Sequence, residues 1–325
     1  MRIALTGATG FVGSWLAEEL VEKGHEVTCL VRPTSNLRWL RHLAVRTVIG
    51  DVTRPESLGP FVEGQDILLH VAGLTKARTE EEYFLANTAS TRNLLEAAVR
   101  AGSKLKRFVL ISSQAAAGPS QPGVPRREED PPAPLTAYGR SKLAAEKITL
   151  EFRKHFPVTV LRPPAVYGPR DRDVFAYFQL AKRGLLPVLG KEGRLSVAFV
   201  HNLTYGIRLA MAHPEAENET FFLADEGTYT WRTLGGMIAA ALGRRAAVIP
   251  VPMALIRAAA LLSQAYGRIA RRAVLLNQEK LLEIRQQYWT LSTEKAKRKL
   301  GYTPPYSTAE AIRITAQWYR QHGWL

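Results

Sequence analysis

Cysteine is almost missing. Cys29 is the single one in 325 residues, so neither an internal disulfide nor a cysteine-based metal cluster can form, as suits a reducing compartment. Long apolar runs are missing too. No window approaches the roughly 18 uninterrupted apolar residues that span a bilayer, and the most apolar stretch, from Met253 to Leu262, is broken by Arg257. The apolar run of MRIALTG stops at Gly7, too early for the core of a secretory signal. Cytoplasm is the expected location, with contact at a membrane surface as an alternative. Acidic residues are in deficit: 29 Asp and Glu against 44 Lys and Arg leave a net charge of +15. Such a chain attracts nucleic acid, anionic membranes and phosphorylated ligands alike. Two clusters hold much of the charge, GRIARRAVLL (267–276) and TEKAKRKLG (293–301). Neither comes with zinc-finger spacing, a helix-turn-helix or an aromatic platform, so no nucleic-acid partner is expected and solvated helix faces are the simple reading. No internal repeat and no metal-ligand set is visible.

What is present is an ordinary globular mix, 46% hydrophobic and 22% charged, long enough for one large α/β domain or two that share an interface. The first third alternates β-rich and helical runs, which predicts βαβ units around a parallel sheet. RIALTG, HEVTCLVR, VRTVIGDV, DILLHVAG, RFVLISS and VTVLRPP read as six strands in turn. FVGSWLAEELVEKG reads as a helix stopped by Gly24, and EEYFLANTASTRNLLEAAVRAG as a long helix between the fourth and fifth strands. The stretch from Gly118 to Leu135 holds six of the 19 prolines and predicts an ordered loop. Beyond it the elements are shorter and more mixed, with two long helices expected, TWRTLGGMIAAALG and MALIRAAALLSQAYGRIARRAVLL. The fold expected is α/β: a Rossmann-type doubly wound parallel sheet with a smaller C-terminal substrate domain. Residues 1–165 form the nucleotide-binding part, with a returning segment near 192–224, and 166–325 mainly bind substrate.

The first strand runs into TGATGFVG, with Gly7, Gly10 and Gly13 at the turn and helix start. Glycines allow a tight turn and close backbone approach, and a helix N-terminus offers free amides to a pyrophosphate. At the end of the second strand CLVRPTSN carries Arg32 and no acid, the pattern that accepts the 2′-phosphate of NADP; NAD, with Arg32 in a solvated loop or over the adenine, is the alternative. Asp51, ending the third strand, is placed to meet the adenine edge.

TGATGFVG, GDV, LLHVAG, NTASTRNLLEAA, VLISSQAAAG, AYGRSKLAAEK, LRPPAVYGP and LSTEKAKRKLGYTP, in that order, resemble the extended short-chain dehydrogenase/reductases, the NAD(P)-dependent epimerase/dehydratase family. The resemblance covers nearly the whole chain. It implies a catalytic set at Ser113, Tyr138 and Lys142 and cofactor contacts from Gly7, Thr9, Gly10, Phe11, Val12, Gly13, Arg32, Asp51, Val52, Ala72, Gly73, Tyr138, Lys142 and Pro163. It also implies a homodimer, built through helices at 83–101 and 138–154. Positions four apart share a helix face, so the Lys142 ammonium is expected beside the Tyr138 phenol, where it and an oxidised nicotinamide ring together lower a pKa of about 10 toward neutrality. Tyr138 then moves the proton of a substrate hydroxyl while hydride passes to or from nicotinamide. Asn87 reads as a structural link.

Departures from the family pattern bear on the substrate. Gln114 and Ala115 stand where dehydratases carry an Asp-Glu pair, and Ala165 stands where many sugar-nucleotide enzymes place an Asn. His201 replaces a usual Asp and reads as a domain-interface histidine. Phe175, Tyr177 and Phe178 are candidates for a pocket wall or for core. The basic, apolar stretch with arginines at 257, 268, 271 and 272 reads as an ordinary domain helix or one lying on an anionic membrane. The expected function is an NAD(P)-dependent oxidoreductase interconverting a secondary alcohol and a ketone on a hydrophobic, steroid-, sterol- or flavonol-like substrate. This places the chain near the 3β-hydroxysteroid dehydrogenase and dihydroflavonol reductase branch. A sugar-nucleotide epimerase that retains NAD is the alternative, and a non-catalytic NADP-sensing regulator is a third reading.

Overall fold

The β-rich runs assemble into one sheet. A computed structural model describes residues 1–190, 192–270, 273–274 and 276–325, with Arg268 described by its backbone alone. In it the six runs are Arg2–Thr6 (β1), Glu26–Val31 (β2), Val45–Ile49 (β3), Ile67–His70 (β4), Arg107–Ile111 (β5) and Val158–Arg162 (β6), joined by Glu219–Phe222 (β7). Their spatial order is β7-β6-β5-β4-β1-β2-β3, and every pairing is parallel. The order reverses between β1 and β4. In an open parallel sheet, ligands bind outside the carboxyl ends of the strands at that reversal. This is the Rossmann-type sheet that the sequence predicts.

Both faces are covered, so the strands carry apolar residues at consecutive positions. Ile3, Leu5, Ile67, Leu69, Val109 and Ile111 pack on one face with Leu16, Leu20, Leu203 and Ile207. Ala4, Leu68, Phe108, Leu110 and Val158 pack on the other with Leu94, Leu95 and Ile148. Each large side chain fully withdrawn from water contributes about 1.5–3 kcal/mol, which holds the strand ends, and the site they carry, in register. The helix Phe11–Glu22 (α1) starts at the glycine turn and closes where Gly24 takes φ +74°, with the amides of Lys23, Gly24 and His25 bonded back to the last turn. The helix expected between β4 and β5 is interrupted: Phe84–Ala89 winds as a π-helix before Ser90–Arg100 (α2). Such a turn often marks a functional site, and this one carries the buried Asn87. The helix Ala137–Glu151 (α3) buries Ala145 and Ile148 in the second face.

Past β6, three short parallel pairs form: Ala165–Tyr167 with Val197–Phe199, Leu185–Leu189 with Ala247–Val251, and Arg194–Leu195 with Tyr288–Trp289. With the helices Trp231–Ala241, Met253–Ile269 (α4) and Gln278–Arg285 (α5), they make the smaller C-terminal domain. Phe178, Phe199, Leu234, Ile238, Ile312 and Tyr319 form a core of its own. The chain returns to the large sheet through the helix Val200–Ala212 and β7, and again where Ala296, Leu300 and Tyr302 join its core. The long helix predicted from Met253 ends, as described, at Ile269; Arg271, Arg272, Leu275 and the side chain of Arg268 lie outside the described residues. Phe175, Tyr177 and Phe178 are packed inside this domain: Phe178 is fully buried, Phe175 meets Tyr319 and Trp324, and Tyr177 stacks on Trp231 at 5.1 Å. The proline-rich loop is tied down by Ser120 and Arg126 amides bonded to the carbonyls of Tyr288 and Thr290. Among the described residues no helix is long and apolar enough to cross a membrane.

Candidate active site

The glycine turn has no room for side chains. Gly7 adopts φ +74°, and a Cβ on it would sit 2.7 Å from Ala72 N; a Cβ on Gly13 would sit 2.1 Å from Gly7 O. Gly10 is the N-cap of α1 and supplies no side-chain acceptor to the amides of the first turn, so those around Phe11 and Val12 stay open to an anion. Thr9 is half-buried beside the exposed Gly10. The loop after β4 is pinned against this turn: the Ala72 amide donates to Thr6 Oγ1 at 3.1 Å, which meets His70 Nδ1 at 2.8 Å. Burial, helped by the Lys142 charge, lowers the His70 pKa to about 3, so its ring is a neutral spacer between Thr6 and Thr91. Asn87 Oδ1 accepts from the Leu74 amide at 2.7 Å, while Nδ2 donates to Leu74 O and to Ser141 Oγ. It therefore links the loop that carries Ala72 and Gly73 to α3. A turn whose glycines leave no room for a Cβ, facing an uncapped helix start, is the cradle a dinucleotide pyrophosphate needs.

Ser113 and Tyr138 meet because two backbones approach closely. Ser113 follows β5 and caps the short helix Gln114–Ala117, accepting from Ala115 N at 3.1 Å. Tyr138 lies in the first turn of α3, whose Thr136 cap accepts from Gly139 N at 3.2 Å. A Cβ on Gly139 would lie 2.4 Å from Ala115 O, so glycine alone allows this contact. Burial pushes the Tyr138 phenol up to about 12, the Ser113 hydroxyl beside it pulls the other way, and Glu283 and Tyr83 add to the rise. Lys142 is not among the groups that shift it. The ammonium is directed instead to the end of β5, where Nζ donates to Ile111 O at 2.7 Å. Burial lowers the Lys142 pKa to about 8, against an upward pull from Glu146.

Beneath this cluster lies a buried polar row that the sequence reading missed. Glu146, one turn after Lys142, accepts from Arg162 Nε at 3.0 Å and Nη2 at 2.6 Å and from the Ser112 hydroxyl. The pair ties α3 to the ends of β5 and β6. Its one sequence signal is the Lys142–Glu146 spacing, again four apart on a helix. Pro163 is buried and its carbonyl accepts from Gln114 N at 2.8 Å. The C-terminal domain closes over the start of α3: Glu279 Oε1, on α5, accepts from Ala137 N at 2.8 Å, and Thr136 Oγ1 donates to Glu283 at 3.5 Å. Ala165 is exposed, and His201 sits against Trp15 at 4.5 Å and Phe199 at 5.1 Å, with its pKa lowered by burial.

At the far end of the cleft, Thr53 donates to Asp51 Oδ1 from its amide at 2.9 Å and its hydroxyl at 2.8 Å. Burial raises the Asp51 pKa, but these bonds and the charges of Arg32 and Arg54 leave it below the ordinary carboxylate value. Val52 O accepts from Asn93 Nδ2 at 3.0 Å. Arg32 is exposed, and the pairing of Val31 with Ile49 sets it beside Asp51.

A family model described as NAD dependent epimerase/dehydratase family matches residues 3–223. A ceramide reductase of Caulobacter vibrioides is 31% identical over 325 residues, 99% of this chain and 96% of that protein. A UDP-glucose 4-epimerase of Vibrio cholerae is 28% identical over 332 residues, 98% and 95% of the two chains. Among solved structures, UDP-glucuronic acid 4-epimerase from Bacillus cereus in complex with NAD superposes with a TM-score of 0.79 at 21% identity, covering 99% of both chains. A dTDP-glucose 4,6-dehydratase from Streptomyces venezuelae with NAD bound gives 0.81 at 23%, covering 100% of this chain and 98% of that one. The matching family model is described as NAD dependent, and both solved structures hold NAD, which overturns the NADP preference read from Arg32. Close to the end of β2 stands the Asp51 carboxylate, held against burial below the ordinary carboxylate value by the Thr53 bonds and the Arg32 and Arg54 charges, and its negative charge works against a 2′-phosphate there. The relatives spread over lipid and sugar-nucleotide enzymes and single out no branch.

Proposed function

The chain belongs to the NAD dependent epimerase/dehydratase family, enzymes that act by hydride transfer, and we propose that Ser113, Tyr138 and Lys142 carry that chemistry here with NAD as cofactor. When bound, NAD would supply the hydride acceptor or donor. The glycine turn, Asp51, Val52, Ala72, Gly73 and Pro163 are the residues that would hold it. Tyr138 Oη gives its proton to a carbonyl oxygen or takes one from a hydroxyl, Ser113 Oγ holds the same oxygen, and Lys142 Nζ binds ribose hydroxyls. A phenol pushed up to about 12 is protonated at neutral pH and stands ready as the acid. The observation that supports the reading is the close contact of Gly139 with Ala115, next to which the Ser113 hydroxyl bonds the phenol. Residues 1–165 with the return near 192–224 serve the cofactor, and 166–325 mainly the substrate.

The relatives and the chain's own residues favour different substrates. In favour of a sugar nucleotide, epimerised with NAD retained, stand the UDP-glucose 4-epimerase relative and the two solved sugar-nucleotide enzymes. In favour of net oxidoreduction of an apolar alcohol or ketone stand Ala165, which offers no amide to a diphosphate, and the ceramide reductase relative. The two differ in redox balance. An epimerase interconverts UDP-glucose and UDP-galactose with no net change in NADH absorbance and releases NAD when denatured. A reductase consumes NADH stoichiometrically with a long-chain ketone. In either case Tyr138→Phe should lower turnover by about 10²–10⁴-fold and leave the thermal shift caused by NAD intact; an active variant removes Tyr138 from the chemistry.

A further inference from the structure

The outer face of α4 is apolar and uncovered. Leu255, Leu262, Tyr266 and Ile269 are 62%, 73%, 61% and 86% exposed, and the alanines at 258 and 259 lie with them. Steps of 3, 4, 7, 11 and 14 residues from Leu255 keep all six within a stripe about 100° wide on a helix of 3.6 residues per turn. The opposite side is the one the fold uses: Ile256 and Ala260 are buried with Leu281 of α5. A solvated helix would carry charges outward, yet this stripe carries none, and a contiguous apolar patch of this kind marks an interaction surface.

The charge around it selects the partner. From Gly227 to Gln278 the chain holds seven arginines and not one aspartate, glutamate or lysine. Arg232 pairs with Glu192 at 3.5 Å. Arg244, Arg245 and Arg257 are exposed and enter no ion pair among the described residues; the side chains of Arg268, Arg271 and Arg272 lie outside them. A second copy of this face would set arginines against arginines, whereas an anionic bilayer accepts both the apolar stripe and the charge. We propose that α4 docks the protein on an anionic lipid surface, with the helix lying in the plane of the headgroups and Leu255, Leu262, Tyr266 and Ile269 inserted. The site would then sit at the surface, because α4 packs on α5 and α5 contacts the residue before Tyr138 through Glu279. The docking holds for either substrate class above.

The test is co-sedimentation of the full chain with phosphatidylglycerol-containing vesicles and with pure phosphatidylcholine vesicles, at low and at high salt. Wild type should pellet with the anionic vesicles, less so as salt rises, and should stay in solution with the neutral ones. Leu262→Asp combined with Ile269→Asp should weaken binding by about tenfold or more while the melting temperature stays unchanged, since both side chains point to water. Absence of wild-type binding overturns the proposal, and so does binding that the double substitution leaves untouched. Light scattering supplies the other arm: a wild-type dimer that the same substitutions split into monomers assigns the face to a second copy and overturns the lipid assignment.

Discussion

Lys142→Met should make the protein more stable at neutral pH while removing its function. The side chain is 4% exposed and its pKa falls from 10.5 to about 8, because burial disfavours the ammonium more than Glu146 favours it. At 1.36 kcal/mol per pH step, keeping that charge in the fold at pH 7 costs about 3 kcal/mol. Methionine removes the cost but leaves Ile111 O without its 2.7 Å donor, a loss of about 1–2 kcal/mol. The net gain is about 1–2 kcal/mol, roughly 2 °C for a chain of this size. The pH dependence is sharper than the magnitude. The unfolded chain holds the lysine proton up to 10.5 and the folded chain only to about 8, so between those values the unfolded state binds more protons and folding strengthens as pH rises. Wild type should start below the variant at pH 7 and overtake it before pH 10.5, where a neutral amine still donates to Ile111 O. Thermal unfolding of both proteins without NAD, from pH 7 to 10.5, measures this directly. A variant less stable at pH 7, or a difference that stays flat across the window, refutes the reasoning.

Two further outcomes follow from the contacts above. Gly13→Ala puts a methyl 2.1 Å from Gly7 O, so backbone must move; a loss of about 1–3 kcal/mol and of the NAD-induced rise in melting temperature is expected in a thermal-shift titration. Arg162→Met strands the Glu146 carboxylate, 3% exposed, and should cost about 3–5 kcal/mol in urea unfolding, most of it recovered when Glu146→Leu is added.

The sheet and the glycine turn were legible because each is a local pattern: six apolar runs of strand length, and three glycines at a strand end. Tyr138 and Lys142 were legible for the same reason, as neighbours on one helix. What escaped depends on residues far apart in the chain. Nothing in Gly139 taken alone tells that it rests on Ala115 O, and Glu146 and Arg162 become partners only once β6 lies beside β5. The cofactor preference failed in the same way. Arg32 is visible as a cation at a strand end, but the Asp51 carboxylate that shares its surroundings follows the neighbouring strand, and only the pairing of β2 with β3 brings the two strand ends together. The Tyr138 phenol is raised because burial outweighs the pull of the Ser113 hydroxyl, and burial is a property of the packed fold that helix spacing does not carry.

The first free amide of the helix that holds the phenol is answered by Glu279, from the far half of the molecule. Chemistry is thereby interlocked with closure. Were the halves to part, α3 would lose its outside acceptor one residue before Tyr138, and the proton donor would be loosened just as water gained entry. One contact thus serves both halves: the carboxylate that fastens the C-terminal domain to α3 also caps the turn from which the proposed acid projects.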